Sequence, residues 1–178
     1  MTILLESPSP GREREFLAAV RASRALHRGW VTPPDTAKAY RKYIDRLNTP
    51  THQGHFVVVR ETGAVAGVIN VTEIVRGLFQ SAYLGCYALV PHAGRGYLSA
   101  GLKLVLRRAF GELRLHRLEA NIQPENAASI SLFRRHGFRL EGYSPRYLKI
   151  GGRWRDHERW ALLAEEWRIS HRMREEKR

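Results

Sequence analysis

The sequence predicts a single mixed α/β domain, and three observations support this fold class. The chain has 178 residues, which is enough for one domain with a substantial core. Its 43% hydrophobic and 26% charged residues are ordinary for a soluble globular protein. The spacing of apolar residues alternates between helical and strand periods, in the order β-α-α-β-β-β-α-β-α-β-β. This order is neither an alternating βα repeat nor an all-β sandwich.

The first part of the chain predicts one short strand and two helices. TILLES, residues 2–7, predicts the strand, and the Pro- and Gly-containing stretch after it ends it. Residues 12–27 predict a helix, because their apolar side chains lie roughly on one side: Phe16, Leu17, Val20 and Leu26. Asp35 follows a Pro-rich turn and is predicted to cap a second helix that ends near Leu47.

The middle of the chain has the period of strands and then that of a helix. HFVVVRETGAVAGVINVTEI contains two predicted strands, 55–60 and 65–74, on either side of a turn. The aromatic and aliphatic run 78–90 predicts a third strand. Apolar residues at helical spacing over 98–110 predict an amphipathic helix with its basic residues on the opposite side.

The last part predicts a further strand and helix, followed by a hairpin. Residues 116–123 predict a strand and 125–136 a helix, with Gly137 at the C′ position that favours glycine. FRLEGYSPRYLKI and RWRDHERWALLAEEW then predict two strands around a Gly151-Gly152 turn.

Composition restricts where the protein is expected to act. No apolar run reaches 18 residues and the N-terminus lacks a signal-peptide pattern, so we expect no membrane span and no secretion. The single cysteine, Cys86, cannot form an internal disulfide, and these features together predict a cytoplasmic protein. We expect one domain over residues 1–167 and a charged, fraying tail over 168–178.

The charge of the chain predicts an anionic partner. The sequence contains 30 Lys or Arg against 17 Asp or Glu, which gives a net charge of +13. Such a balance favours nucleic acid, a ribosomal surface or a phosphorylated ligand. The alternative is a solvated surface on which basic and acidic residues interleave. The sequence has no aromatic RNP pattern and no Gly-x-x-Gly loop of the KH type.

The stretch VPHAGRGYLSAG, residues 90–101, places two glycines directly before the amphipathic helix. Glycines at this point let an anion approach the free N–H groups of a helix N-terminus. The P-loop pattern does not fit, because Gly96 is followed by Tyr97 and not by Lys. A dinucleotide fingerprint is disfavoured, because Ser99 occupies its third glycine position. A simple strand-to-helix turn remains the structural alternative.

A second motif follows one strand later and decides between these alternatives. In EANIQPENAASISLFRRHGF, Asn126 and Ser129 open a helix that Gly137-Phe138 ends. The two motifs together resemble the GNAT family of acetyl-CoA-dependent N-acetyltransferases, in which a Gln/Arg-x-x-Gly-x-Gly/Ala loop binds the pyrophosphate. The closing segment LEGYSPRYLKIGGRWRDHERWALLAEEW is similar to the ribosomal-protein alanine N-acetyltransferase, or Rim-type, branch. The resemblance covers about residues 55–167.

The resemblance implies the GNAT fold: a mixed, mostly antiparallel sheet with flanking helices and a splayed central strand pair. It also implies acetyl-CoA as the cofactor. The positions that match the family's acetyl-CoA site are Leu89, Val90, Gly94, Arg95, Gly96, Tyr97, Asn126 and Ser129. Basic candidates for its 3′-phosphate are Lys103, Arg107, Arg134 and Arg135. Pro91 departs from the family's Gln or Arg, at a position that contributes mostly through its backbone.

Acetyl transfer to an amine needs a proton acceptor and benefits from a proton donor to the leaving thiolate. Glu141 is the candidate base that the resemblance implies, and the alternative is a surface residue paired with a neighbouring arginine. Ser129 is the candidate acid, because Phe133 stands where many family members have a tyrosine. A nucleophilic role for Cys86 competes with a core role, and the core role is the expected one. His52 and His55 lack a third ligand nearby, so no metal site is expected.

The resemblance implies direct attack by a primary amine in a ternary complex with acetyl-CoA. The expected acceptor is the N-terminal amine of a protein, such as a ribosomal protein, and the basic charge would suit docking on a ribosome. The alternatives are a small-molecule amine, or a non-catalytic basic protein that binds CoA or RNA. Hydrophobic residues on the final strands would suit either a homodimer or core packing.

Overall fold

The computed structural model describes residues 2–175, without the side chains of 171–175. Its strands and main helices follow the predicted order, with an additional short helix after the first one and an additional helix after the last strand. The strands are β1 (Ile3–Glu6), β2 (Gln53–Val59), β3 (Val65–Val75), β4 (Ser81–Ala88), β5 (Arg117–Ile122), β6 (Arg139–Ile150) and β7 (Arg153–Leu163). The helices are α1 (Glu13–Ala22), α2 (Arg24–His27), α3 (Ala37–Leu47), α4 (Tyr97–Arg107), α5 (Ala127–Arg135) and α6 (Ala164–Glu175). The mixed α/β fold class is confirmed.

Several predicted boundaries differ from the structure. The helix predicted over 12–27 is broken at Ser23, whose hydroxyl bonds to the carbonyl of Ala19 and so competes with the helix. The cap of α3 is Thr36 and not Asp35, since the Thr36 hydroxyl accepts from the Ala39 N–H at 3.2 Å.

The end of the chain also differs, because the last strand stops at Leu163 and α6 follows it at once. The Leu163 N–H donates to the Glu166 carboxylate at 3.0 Å, which supports the start of that helix. The boundary predicted at Trp167 falls inside α6, and residues 176–178 lie outside the described part of the chain. The division into a domain and a tail therefore stays a prediction.

The seven strands form one sheet in the order β1-β2-β3-β4-β5-β7-β6. Every neighbouring pair is antiparallel except β4 and β5, which run parallel. That parallel ladder is short, since it joins only Ser81–Tyr83 to Arg117–Glu119. The remainder of β4 continues beside β3, and the remainder of β5 continues beside β7. The two halves of the sheet therefore separate in its centre, as the splayed strand pair predicts.

The sheet has a hydrophobic cluster on each face, because successive residues of a strand point to opposite sides. Phe56 and Val68 pack with α1 and α3 in one cluster. Their chain neighbours Val57 and Ile69 pack with α4 in the other. Gly101 of α4 lies so close to Val57 that a Cβ there would be 2.5 Å from its Cγ2. The sheet therefore holds α4 at a fixed position, with its N-terminus beside the end of β4.

None of the helices in residues 2–175 is both long and apolar enough to cross a membrane.

Candidate active site

A cleft of about 1070 Å³ lies where β4 and β5 separate. Beyond Tyr83 and Glu119 the two strands form no ladder with each other, and the cleft is lined there by Leu84–Ala88 and Ala120–Gln123. Backbone N–H and C=O groups on the facing edges of such strands are free to pair with an extended ligand. The splay therefore provides a groove in which a long, amide-containing molecule can bind.

The glycine loop and the N-terminus of α4 form one end of the cleft. Gly94 and Gly96 have positive φ values of 74° and 83°, which glycine adopts without strain. Gly96 is the N-cap of α4 and supplies no side chain, so the N–H groups of the first helical turn have no capping partner. With the positive end of the helix dipole, these N–H groups favour an anion. Lys103 and Arg135 line the same cleft and add positive charge.

Four buried polar atoms in cleft-lining side chains have no hydrogen-bond partner within the described residues: His27 Nδ1, Tyr87 Oη, His92 Nδ1 and Asn121 Oδ1. Buried polar groups are normally paired, so unpaired ones indicate that a ligand or water completes the site. Burial raises the pKa of Tyr87 well above its ordinary value, so its hydroxyl stays protonated and can donate. Sequence patterns did not reveal these atoms, since their burial depends on distant parts of the chain.

The segment that contains α2 is bonded to both strands of the splay. Ser23 accepts from the Val90 N–H at 3.0 Å, and His27 Nε2 lies 2.7 Å from the Ala88 carbonyl oxygen. From the other side, Gln123 donates to the Gly29 carbonyl at 2.8 Å. Because a carbonyl only accepts, Nε2 of His27 carries the proton. These bonds hold one side of the cleft, where Leu26, Trp30 and Val31 provide an apolar lining.

Five of the predicted acetyl-CoA positions line the cleft: Gly94, Gly96, Tyr97, Asn126 and Ser129. Asn126 also caps α5, because its Oδ1 accepts from the Ser129 N–H at 3.1 Å. Arg95 is exposed on the loop and does not line the cleft. The structure thus brings together the two motifs that the sequence places about thirty residues apart.

Leu89 and Val90 do not line the cleft, and their pairing with a bound ligand stays a prediction. The Leu89 N–H donates to the Ala66 carbonyl at 2.9 Å, and the Val90 N–H donates to Ser23. Both backbone donors are therefore already used. The part of β4 that lines the cleft is Leu84–Ala88, in which the Ala88 carbonyl already accepts from His27.

Of the four basic candidates for the 3′-phosphate, Lys103 and Arg135 line the cleft and the other two do not. Arg134 instead lies over the ring of Trp160, with its guanidinium carbon 5.4 Å from the ring centre. Arg107 lies in the last turn of α4, at the end opposite the glycine loop.

Glu141 lies outside the cleft, and no Asp or Glu among the described residues lines it. Its carboxylate is held by the Arg117 guanidinium, which lowers the pKa of Glu141, and Arg139 lies 3.7 Å away. A carboxylate that is already neutralised in this way is a poor proton acceptor. The structure therefore supports the alternative role, a surface ion pair, although its main partner is Arg117 and not a residue of its own strand.

Cys86 lines the cleft, but burial raises the pKa of its thiol to about 12. The thiolate is the nucleophilic form, so the raised pKa favours the core role of this cysteine. His55 is buried in the sheet, where desolvation lowers its pKa to about 4. Within residues 2–175 no three His, Cys, Asp or Glu side chains form a group that could hold a metal ion.

Comparison with known proteins supports one family. A family model described as an acetyltransferase (GNAT) domain matches residues 3–139. The chain is 32% identical over 134 residues to the probable N-acetyltransferase YjcK of Bacillus subtilis, covering 75% of this chain and 74% of that protein. It is 38% identical over 103 residues to the ribosomal protein uS5-alanine N-acetyltransferase of Escherichia coli, covering 58% of this chain and 53% of that protein.

A third relative and one solved structure extend this comparison. The chain is 25% identical over 166 residues to the spermidine N(1)-acetyltransferase of Escherichia coli, covering 90% of this chain and 87% of that protein. Among solved structures, RimJ of Mycobacterium smegmatis in complex with CoA-disulfide matches with a TM-score of 0.85 at 24% identity, covering 92% of this chain and 83% of that one. At that identity the structural likeness shows the shared fold.

Proposed function

The chain belongs to the GNAT acetyltransferase family and is an acetyl-CoA-dependent N-acetyltransferase, and from this premise we propose that its acceptor is the N-terminal α-amine of a protein. The observation that carries the proposal is the absence of Asp and Glu from the cleft lining among the described residues. An amine that binds there receives no carboxylate to remove its proton or to balance a second positive charge.

The residues of the cleft fit acetyl-CoA. Its diphosphate would be held by the N–H groups that follow Gly94 and Gly96 at the start of α4, and its 3′-phosphate would be balanced by Lys103 and Arg135. Its amide-containing arm suits the unpaired strand edges of the splay. When bound, acetyl-CoA supplies an acetyl thioester that an amine can attack directly.

Amine ionisation favours an α-amine in this cleft. An α-amino group has a pKa of about 7.8, so about one third of it is uncharged at pH 7.5. A lysine or polyamine nitrogen near pKa 10.4 is only about 0.1% uncharged at that pH. A site with a carboxylate base can offset such a difference, but the lining of this cleft contains none among the described residues. An α-amine is therefore the acceptor that depends least on the protein to remove its proton before the attack.

The apolar lining supports the same acceptor. Leu26 and Trp30 are 40% and 37% exposed at the cleft, beside Val31. An apolar lining suits a small uncharged first residue, whereas a polyamine would place additional ammonium groups against it. One relative acetylates alanine of ribosomal protein uS5, which makes a ribosomal protein N-terminus the specific acceptor of the proposal. The net charge of +13 suits association with a ribosome.

In this proposal the chain orients the amine and supplies protons, and it forms no acyl-enzyme. Burial raises the pKa of the Cys86 thiol, which disfavours it as a nucleophile. Ser129 lines the cleft and stays the proposed proton donor to the leaving thiolate, and Tyr87 is a second protonated hydroxyl in the lining. Glu141 is not kept as the base in this proposal. The proton that the attacking nitrogen loses as the amide forms balances the proton that the leaving thiolate gains.

Three acceptors test the proposal in an assay that measures release of the CoA thiol. The first is a peptide that begins with alanine and contains an internal lysine, the second is the same peptide with a blocked N-terminus, and the third is spermidine. We expect the free peptide to exceed both others in kcat/KM by at least tenfold at pH 7.5. Faster turnover of spermidine, or equal turnover of the blocked peptide, would refute the α-amine assignment. A rise in Tm of roughly 5–11 °C at 100 times the Kd of acetyl-CoA separately checks the cofactor site.

A further inference from the structure

Strands β6 and β7 extend beyond the rest of the sheet as a two-stranded arm, residues 143–157. β7 pairs with β5 only over Glu158–Leu163, so its first residues have β6 as their one neighbour among the described strands. β6 is the edge of the sheet and has no partner strand on its outer side within residues 2–175. Residues 143–157, called the basic arm below, are therefore accessible from several directions.

The basic arm carries an excess of unpaired positive charge. Arg146, Lys149, Arg153 and Arg155 are exposed, and none of the four has a salt bridge within 4.0 Å to a described residue. Of the four, Arg146 also interacts electrostatically with Asp156 and helps to lower the pKa of that carboxyl. Asp156 is the arm's only acidic residue. Its Oδ1 accepts from the Arg146 N–H at 2.7 Å and its Oδ2 from the Tyr143 hydroxyl, so both carboxylate oxygens are used inside the arm.

Large apolar and aromatic side chains lie exposed among these cations. Trp154 is 60% exposed, Tyr143 54% and Leu148 39%. Trp154 pairs across the ladder with Lys149, and Leu148 pairs with Arg155. Directly opposite residues share a face of the ladder, so each of these apolar groups lies beside a cation. The bonds of Asp156 hold the irregular part of β6 in place, which makes the arrangement preorganised.

We propose that the basic arm binds single-stranded RNA. The cations can neutralise phosphates, and the exposed rings can stack on unpaired bases, a combination that single-strand-binding proteins use without sequence preference. An acidic peptide would satisfy the cations but would have no use for the rings. RNA is the nucleic acid that regularly presents unpaired bases, in its loops and ends. The arm carries four of the 30 basic residues and one of the 17 acidic residues, which is +3 of the net charge of +13.

The test measures binding of a fluorescently labelled oligouridylate to the full chain without acetyl-CoA, by anisotropy at several salt concentrations. Four phosphate contacts predict a slope of log K against log salt of about −3 for a single strand. We expect an RNA duplex of equal charge to bind at least fivefold more weakly, because its bases are already stacked. Because no acetyl transfer is involved, the result does not depend on the proposed acceptor.

Two variants and a matched control locate the binding surface. R153Q/R155Q removes two cations of the arm and is expected to reduce the slope by about 1.4. Trp154→Ala is expected to weaken binding about 5- to 150-fold, whereas Trp154→Phe retains most of it. K38Q/K42Q removes two exposed cations from α3 and should change neither quantity.

Three outcomes would overturn the proposal. They are no salt-dependent binding by the unmodified chain, equal weakening by the α3 control, and a Trp154→Ala variant that binds like the unmodified chain. Circular dichroism and acetyl transfer of each variant check that its fold is retained, since the substituted arm residues lie outside the cleft.

Discussion

Replacement of Gly101 by alanine tests how tightly α4 is held against the sheet. The added Cβ would lie 2.5 Å from Val57 Cγ2 and 3.2 Å from its Cγ1. Carbon atoms normally approach to about 3.5–4.0 Å, so α4 or β2 has to move by about 1 Å. Such overpacking costs about 1–3 kcal/mol, while the better helix propensity of alanine returns about 0.5–1 kcal/mol. The expected net loss is about 1 kcal/mol, a fall in Tm of roughly 2–4 °C.

Thermal unfolding followed by circular dichroism measures this loss. The matched control is Gly111→Ala, because a Cβ at Gly111 meets nothing within 4 Å. We expect the control to keep or raise Tm. Adding Val57→Ala to Gly101→Ala should show a favourable coupling of at least about 0.5 kcal/mol, since the two groups compete for the same space. If Gly101→Ala raised Tm as much as the control does, the steric argument would be refuted. Displacement of the α4 N-terminus should also weaken acetyl-CoA binding.

Three further predictions concern the cleft and its surroundings. Arg117 lowers the pKa of Glu141, so the ion pair contributes to the free energy of unfolding at pH values above the ordinary pKa of a carboxyl group. This contribution is lost as the pH falls through the lowered pKa. The Glu141→Gln variant should therefore lose less Tm than the unmodified chain between about pH 5 and pH 2. Its kcat should stay within a fewfold of that of the unmodified chain. A loss of kcat above about 100-fold would restore Glu141 as the base. The Cys86→Ala variant should retain acetyl-transfer activity, and the thiol of the unmodified chain should resist alkylation at pH 8. A burst of acyl-enzyme formation in the unmodified chain would contradict both expectations. Ser23→Ala leaves the Val90 N–H without its acceptor and should lower the free energy of unfolding by about 1–3 kcal/mol. An unchanged Tm would show that this hydrogen bond does not hold the segment between α1 and α2 to the cleft.

Local signals explain the elements that could be predicted. Gly137 was predicted to end α5, and it lies directly after His136, the C-cap of that helix, with a φ of 91°. The glycine loop was predicted from two residues that precede an amphipathic stripe, and both have positive φ in the structure. In each case the cause lies within a few residues of the effect, so the sequence pattern was sufficient.

Contacts between distant residues explain the features of the candidate site that the sequence does not predict. Leu89 and Val90 match the family's ligand-binding strand, but their N–H groups are occupied by Ala66 and Ser23. Glu141 has the residue type of a base, but Arg117 approaches it from a strand 24 residues earlier in the chain. Nothing near either site in the sequence reports these partners, because their positions depend on the order of strands in the sheet.

The sequence by itself determined the fold class, the order of elements and the glycine loop, because periodicity, turn residues and backbone freedom are local properties. It also determined the family, since the loop and the Asn126 helix occur together at a specific separation. Only the tertiary structure decided the content of the cleft. The absence of Asp and Glu from its described lining, its unpaired polar atoms and the bonds of the α2 segment to both sides of the splay depend on contacts among residues 23–31, 84–90 and 120–123. A single strand or helix cannot specify such contacts.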